Sequence, residues 1–168
     1  MNNRKVTMQG HELQLTGSAI HIGDKVRDFT VVTNELKPYS LNDTGDGLKV
    51  FVTVPSLDTP VCDTEARKFN EEAPKLGKNV SIYVISMDLP FAQARWCGAA
   101  GIDNVITLSD YQAASFGETY GVLIDGLRLL ARAVFIVKDG EIKYYQLVPE
   151  ITDEPDYDEV IEKIEALS

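Results

Sequence analysis

The chain has 168 residues, of which 44% are hydrophobic, and its 26 acidic and 16 basic side chains give a net charge of −10. This composition excludes an intrinsically disordered protein, and a chain of this length buries well over half of the surface that its unfolded form exposes. The acidic balance argues against a nucleic-acid-binding surface. Because no segment approaches the roughly 18 apolar residues of a membrane span and the N-terminus lacks the apolar stretch of a secretory signal, we expect a cytoplasmic protein without membrane or nucleic-acid partners.

The first predicted elements are short strands separated by turns. Residues 6–8 and 12–15 flank a Gln-Gly turn and predict a hairpin, which we assign to an N-terminal extension covering residues 1–20. Residues 28–32 predict a further short strand. The nearly continuous apolar run of residues 48–54 predicts a strand that is covered on both faces.

Helices and strands then alternate to the end of the chain. The further predicted elements are a helix from residue 62 to about residue 74, a strand at 80–86, a helix that begins at Pro90, a strand at 105–108, a short helical segment at 112–116, a hairpin with strands at 133–137 and 142–148, and a last helix from about residue 156. This order predicts an α/β protein with a thioredoxin-like fold, in which helices flank a central mixed β-sheet. We assign residues 1–168 to a single domain.

A cysteine stands where a predicted strand leads into a helix. Residues 55–62, Pro-Ser-Leu-Asp-Thr-Pro-Val-Cys, deliver the thiol of Cys62 to the first turn of that helix. The unpaired N–H groups and the partial positive charge of a helix N-terminus favour a thiolate over a thiol. The hydroxyl of Thr59 is close enough in sequence to point into the same site, although capping the helix is an alternative role.

The second cysteine, Cys97, lies in the next predicted helix beside Trp96. In a cytoplasmic protein, two cysteines are more typical of reactive thiols, metal ligands or core residues than of a static disulfide. Metal binding is the weakest of these, because two cysteines and two distant histidines, His11 and His21, show no ligand spacing. The position of Cys62 favours redox chemistry, whereas spacing alone favours a core residue for Cys97.

Four motifs along the chain resemble those of the peroxiredoxins, and in particular the bacterial thiol peroxidases, which are atypical two-cysteine peroxiredoxins. Pro55, Thr59 and Cys62 match the signature around the peroxide-reacting cysteine. The other three motifs are Arg-Lys-Phe-Asn at 67–70, Arg-Trp-Cys-Gly-Ala at 95–99 and Ala-Arg-Ala-Val-Phe at 131–135. One residue departs from the family pattern: Arg27 stands where a proline is usual, which we expect to affect only the stiffness of its loop.

The resemblance implies a thiol-specific peroxidase that reduces hydrogen peroxide and alkyl hydroperoxides. Cys62 is then the peroxidatic cysteine, which becomes a sulfenic acid, and Cys97 the resolving cysteine, which condenses with it to an intrachain Cys62–Cys97 disulfide. Thr59 and the N–H of Cys62 bind the peroxide. Arg132 holds the thiolate and Pro55 shields it, although without the motif Arg132 reads as a solvated strand-end charge or a structural ion pair.

The same resemblance implies that thioredoxin regenerates the thiols, that the protein forms a homodimer, and that no flavin, haem or metal takes part. Since sulfurs on two separate helices rarely lie at disulfide distance, we expect both helices to unwind locally in each cycle. Phe91, Trp96 and Tyr39 are candidates for an apolar collar around the peroxide, with an ordinary core role as the alternative.

Three other functions stay open at this point. A general thiol–disulfide oxidoreductase shares the fold but usually carries a Cys-x-x-Cys motif, which this sequence lacks. A redox sensor could use the same two cysteines to relay a signal to a partner protein. A binding module with inert cysteines would lose no thiols to peroxide.

Overall fold

The structure, a computed structural model, describes residues 4–168; residues 1–3, which the predicted domain and hairpin extension include, lie outside the described residues. The strands are β1 (Lys5–Met8), β2 (His11–Thr16), β3 (Thr30–Val32), β4 (Pro38–Ser40), β5 (Leu48–Thr53), β6 (Val80–Ser86), β7 (Ile106–Ser109), β8 (Leu123–Ile124), β9 (Ala133–Lys138) and β10 (Glu141–Leu147). The α-helices are α1 (Pro60–Glu72), α2 (Pro90–Ala100), α3 (Ser115–Thr119) and α4 (Tyr157–Leu167). Short 3-10 helices span Leu41–Thr44 and Ala73–Lys75.

The central sheet has seven strands in the order β10-β9-β5-β6-β7-β3-β4. Strands β5, β6 and β7 are parallel, whereas β9 and β10 on one side and β3 and β4 on the other are joined antiparallel. The predicted thioredoxin-like α/β fold with a mixed sheet is therefore confirmed. Strands β4 and β8 were not predicted, because two or three residues are too few to show an alternating pattern.

The sheet separates two apolar layers. Helices α1, α2 and α4 cover one face, while α3 and a small sheet of β1, β2 and β8 cover the other. Alternate residues of a strand face opposite layers, so that Val50 and Val52 of β5 point towards α1, whereas Phe51 between them packs among aromatic rings. This two-sided burial explains why the predicted strand at 48–54 is almost continuously apolar.

The N-terminal hairpin forms as predicted and lies against the loop that follows β10. Gln9 and Gly10 both have positive φ, 50° and 83°, as a two-residue hairpin turn requires. Thr7 exchanges main-chain hydrogen bonds with Pro149 and Ile151, each 2.8 Å long. This pairing brings β1 next to the start of α1. The boundaries of the single domain and of the extension stay predictions.

Arg27 joins distant segments and does more than stiffen its own loop. Its guanidinium donates to the carbonyl oxygens of Ala19 at 3.1 Å and of Thr119 at 3.0 Å. Its main-chain carbonyl accepts from the hydroxyl of Tyr120 at 2.7 Å. The residue therefore ties the segment after the hairpin to the end of α3, on the opposite side of the sheet from α1.

The sheet topology decides which residues meet at one edge. Strand β5 ends at Thr53 and leads through a short loop into α1, while its antiparallel neighbour β9 begins at Ala133, directly opposite Thr53. The first turn of α1 and the residue that precedes β9 therefore lie at the same edge. No helix within residues 4–168 is long and apolar enough to cross a membrane.

Candidate active site

Cys62 is the third residue of α1, and its side chain is fully buried. Pro60 occupies the first position of the helix, where the missing N–H of proline costs nothing. The sulfur accepts a hydrogen bond of 3.2 Å from Nη1 of Arg132. The structure thus places a cation and a helix N-terminus beside one thiol.

Arg132 is almost fully buried, with 2% of its surface exposed, and several hydrogen bonds hold its guanidinium in place. Nε and Nη2 donate to the carbonyl oxygen of Ile151 at 3.0 and 2.7 Å, and Nη1 also donates to Oε2 of Glu65 at 2.6 Å. Burial alone would lower the pKa of Arg132, but the neighbouring Glu65 and Cys62 outweigh it and raise the pKa. Arg132 is therefore a buried cation and not a solvated strand-end charge, and its ion pair with Glu65 coexists with the bond to Cys62.

Glu65 belongs to this site, and the sequence reasoning missed it. It is fully buried, and its Oε1 has no hydrogen-bond partner among the described residues. Burial raises the pKa of Glu65 to about 7, although Arg132 opposes the shift. The available signal was a carboxylate among the buried residues Cys62, Ala66 and Phe69, which recur at helical spacing on one face of α1.

We expect the native protein to lose stability relative to a Glu65→Gln variant as the pH rises from about 4.5 to above 7. The folded pKa of about 7 exceeds the ordinary value of 4.5, so the folded state holds a proton that the unfolded chain releases. The contribution of this proton to the free energy of unfolding is fully present below pH 4.5 and is lost as the pH rises past 7. It amounts to about 3 kcal/mol at most. Urea unfolding at pH 4.5 and 8 measures it, with Glu71→Gln, an exposed change on α1, as the control. Equal pH dependence in all three proteins would contradict the prediction.

Thr59 precedes α1 at the N-cap position but does not cap the helix with its side chain. Its hydroxyl instead donates to the carbonyl oxygen of Ser56 at 2.8 Å. Because its hydrogen is committed there, the oxygen lone pairs stay available to accept a hydrogen bond from a ligand. The capping alternative is therefore not what the structure shows.

A cavity of about 210 Å³ lies next to Cys62; neighbours of Cys62 line it, but Cys62 itself, which is fully buried, does not. Pro55, Thr59 and Arg132 line it, so the structure brings together these three predicted site residues beside the buried sulfur. The other lining residues are Met8, Ser56, Pro60, Val61, Leu129, Ile151 and Thr152. Most of these side chains are apolar. The hydroxyls of Ser56 and Thr152 donate to the carboxylates of Asp88 and Glu150, whereas Thr59 and Arg132 are placed to orient a small ligand.

The predicted aromatic collar is wrong, because none of its three members lines this cavity. Tyr39 belongs to the unpredicted strand β4 and packs against Tyr83 in the opposite layer. Phe91 is 67% exposed on α2, and Trp96 binds Asp63. The apolar wall is instead made by aliphatic residues of other segments, including Met8, whose position depends on where the hairpin docks. No sequence signal pointed to it.

Cys97 lies on α2, half-buried, with its sulfur 3.4 Å from Oγ1 of Thr107 on β7. Both cysteines are free thiols. The Cys62 sulfur contacts Arg132, which precedes β9, whereas the Cys97 sulfur contacts β7, and β5 and β6 lie between these two strands. The structure does not bring the two sulfurs together, so the Cys62–Cys97 disulfide stays a prediction that requires local rearrangement. His11 and His21 are exposed.

A buried thiol at a helix N-terminus of a thioredoxin-like fold, hydrogen-bonded to an arginine that lines a mostly apolar cavity, is the arrangement expected of a thiol-based oxidoreductase. Comparison with known proteins leads to the same class. The Redoxin family model matches residues 21–161. The thiol peroxidase of Bacillus subtilis (strain 168) is 50% identical over 164 residues, covering 97% of this chain and 98% of that protein. The crystal structure of a peroxiredoxin-like protein from Aquifex aeolicus superimposes with a TM-score of 0.92 at 46% identity, covering 99% of both chains.

The chain therefore belongs to the redoxin family and, within it, to the bacterial thiol peroxidases. Thiol peroxidases of other bacteria give similar figures; that of Staphylococcus aureus (strain Mu50) is 50% identical over 155 residues, covering 92% of this chain and 93% of that protein. The predicted family and its class of enzyme, a peroxidase among the oxidoreductases, are confirmed.

Proposed function

We propose that the protein reduces hydrogen peroxide and organic hydroperoxides through Cys62, with Cys97 as the resolving cysteine and thioredoxin as the reductant. The observation that carries this proposal is the 3.2 Å contact between the buried Cys62 sulfur and the guanidinium of Arg132, which also lines a mostly apolar cavity. The thiolate is the reactive form of cysteine, and a fixed cation beside the sulfur favours it.

The first step is the attack of the Cys62 thiolate on the terminal oxygen of the peroxide. A sulfur–oxygen bond forms as the oxygen–oxygen bond breaks, and the leaving oxygen takes a proton to become an alcohol or water. Cys62 is left as a sulfenic acid, oxidised by two electrons. The free lone pairs of Thr59 can accept the hydrogen bond of the hydroperoxide O–H, while Arg132 stabilises the developing negative charge.

The cavity lining supports organic hydroperoxides as substrates alongside hydrogen peroxide. Met8, Leu129 and Ile151 offer aliphatic contacts to an alkyl group, while Pro55 and Thr59 flank the approach to the sulfur. Burying an alkyl chain here is favourable because it removes apolar surface from water on both sides.

The second step condenses the two sulfurs and returns the enzyme to its reduced form. The Cys97 thiol attacks the sulfenic sulfur of Cys62, the disulfide bond forms, and water leaves. Since the disulfide contains both cysteines of the chain, an external dithiol, thioredoxin, supplies the two electrons that reopen the bond and is itself oxidised to a disulfide. Sulfur carries both electrons, so the cycle uses no flavin, haem or metal. A homodimer in the cytoplasm, where thiols are kept reduced, completes the proposal.

The test is a free-thiol count with intact mass, before and after one equivalent of tert-butyl hydroperoxide on fully reduced protein. We expect both thiols to be lost, a single chain to become lighter by two hydrogens, and thioredoxin with its reductase to restore both thiols. Retention of both thiols would overturn the proposed function. Rapid oxidation with slow recycling and a stable protein complex would indicate a redox sensor instead.

Replacing Thr59 by valine is expected to lower the rate constant of Cys62 oxidation by about ten- to a hundredfold, the effect of one lost hydrogen bond in the transition state. Valine keeps the shape of threonine but has no oxygen to accept a hydrogen bond from the hydroperoxide O–H. Stopped-flow oxidation of the reduced protein by tert-butyl hydroperoxide measures the rate. Thr59→Ser is the matched control and should retain most of it; a native rate in Thr59→Val would show that the hydroxyl has no part in the reaction.

A further inference from the structure

A hydrogen bond joins the two helices that carry the cysteines. The indole N–H of Trp96 on α2 donates to Oδ1 of Asp63 on α1 at 2.6 Å, and the tryptophan side chain is largely buried. The other carboxylate oxygen of Asp63 accepts from Nε of Arg67 at 2.9 Å, and the Arg67 guanidinium lies 6.0 Å from the centre of the indole ring. A short bond to an ionised carboxylate is stronger than a bond between neutral groups.

The two partners of this bond are the chain neighbours of the two cysteines. Asp63 directly follows Cys62, and Trp96 directly precedes Cys97. Neighbouring residues of an α-helix point about 100° apart. While the carboxylate and the indole face each other, the Cys62 sulfur therefore points at Arg132 and the Cys97 sulfur at Thr107. The sulfurs cannot turn towards each other without pulling the indole away from the carboxylate.

Other contacts fix the loop before α1 and the first half of α2, and so limit where the two helices can unwind. The carboxylate of Asp88 accepts from the Ser56 hydroxyl at 2.7 Å and from the Leu57 N–H at 2.8 Å, which fixes the loop before α1. On α2, Nε2 of Gln93 donates to the carbonyl oxygen of Leu108 at 2.9 Å, which fixes the first half of that helix. We therefore expect unwinding in the first turn of α1 and in the second half of α2, which ends at Ala100 with Gly101 as its C-cap. The Asp63–Trp96 bond joins these two segments.

We propose that Asp63 and Trp96 are positioning residues whose hydrogen bond keeps the cysteines apart and so limits the rate of disulfide formation. This inference rests on the proposed roles of Cys62 and Cys97. It concerns the step in which the Cys97 thiol displaces water from the Cys62 sulfenic acid. A second peroxide molecule competes for that sulfenic acid and oxidises it to a sulfinic acid, with release of another alcohol. The bond therefore sets the ratio of disulfide to overoxidised enzyme.

Two variants break the bond from opposite sides in the full-length protein. Trp96→Phe removes the indole N–H but keeps an aromatic ring and leaves the charge of Asp63 beside Cys62. Asp63→Asn removes the charge but keeps the indole. The matched control is Asp58→Asn, because Asp58, in the loop before α1, also contacts α2 through Arg95, but the two groups lie 3.8 Å apart with 65% and 74% of their side chains exposed. An exposed pair of this kind contributes little.

Reduced protein is mixed with tert-butyl hydroperoxide, quenched at intervals with an alkylating reagent and weighed by mass spectrometry. In Trp96→Phe we expect the sulfenic acid to convert to disulfide about tenfold faster, the effect of a charge-assisted hydrogen bond, and the sulfinic product to fall in proportion. Asp63→Asn should act in the same direction, and the double variant should add little to Trp96→Phe, because the two residues act as a pair. The first oxidation of Cys62 should stay within about twofold of native in Trp96→Phe and in Asp58→Asn.

Trp96 is the single tryptophan of the chain, so native fluorescence should change in step with disulfide formation and not with the first oxidation. A native protein that cycles normally while neither variant accelerates the disulfide, or while both slow it, would overturn the inference and leave the proposed function intact. A native protein that forms neither sulfenic acid nor disulfide would overturn both.

Discussion

Replacing Cys62 by serine is expected to lower peroxide reduction by about 10⁴-fold or more, to the level of protein without a nucleophile. A hydroxyl is a far weaker acid and a poorer nucleophile towards peroxide than a thiol, so the serine does not attack the peroxide. The exchange of sulfur for oxygen is small, and the serine hydroxyl can accept the same hydrogen bond from Arg132, so we expect the fold to persist. Consumption of tert-butyl hydroperoxide, with thioredoxin and its reductase in excess, measures the loss.

The corresponding change at the other cysteine separates the two roles. Cys97→Ser should oxidise Cys62 at the native rate but accumulate the sulfenic acid, because no second thiol in the chain can displace water from it. Turnover with thioredoxin should then be strongly reduced, and sulfinic acid should build up at high peroxide. If Cys62→Ser reduced peroxide normally while Cys97→Ser lost the first oxidation, the assigned roles would be exchanged.

The parts of the fold that could be predicted are those whose pattern is set by local burial. Strand β6 occupies the predicted residues 80–86, and β5 ends one residue earlier than predicted; both could be predicted because most of their side chains are buried on one face of the sheet or the other. Helix α2 begins at Pro90 as predicted, since proline fits only the first turn. The two-residue strand β8 exists only because β2 pairs with it, which no local pattern reveals.

The residues of the candidate site also fall into those that the local sequence predicts and those that it does not. Pro55, Thr59 and Cys62 lie in one continuous segment, so a strand followed by a helix already fixes their approximate arrangement. Arg132 meets Cys62 only because β9 is the antiparallel neighbour of β5, and the sequence order of the strands does not contain that fact. Only the resemblance to the family motifs pointed to Arg132 as a site residue. For Glu65 the resemblance stated nothing, and a glutamate on a helix is ordinarily solvated.

Replacing Arg132 by methionine is expected to slow the oxidation of Cys62 by about 10²- to 10³-fold, the usual cost of removing one charge-stabilising donor. Methionine fills a similar space but neither favours the thiolate nor stabilises the departing oxygen. The variant should also be less stable by about 3 kcal/mol at pH 8, because Glu65 stays buried without its partner. At pH 5 the loss should be smaller, because Glu65, whose pKa burial raises to about 7, is then protonated.

The double variant Arg132→Met/Glu65→Gln separates catalysis from stability. Glutamine in place of Glu65 removes the unpaired buried charge, so the free energy of unfolding at pH 8 should recover most of the loss, as measured by urea unfolding. The rate of Cys62 oxidation by tert-butyl hydroperoxide should stay as low as in Arg132→Met, because nothing replaces the cation at the sulfur. Recovery of the rate together with stability would mean that Arg132 supports the site only as one half of an ion pair. A persistently slow rate in a stable protein would assign the charge of Arg132 directly to the reaction at Cys62.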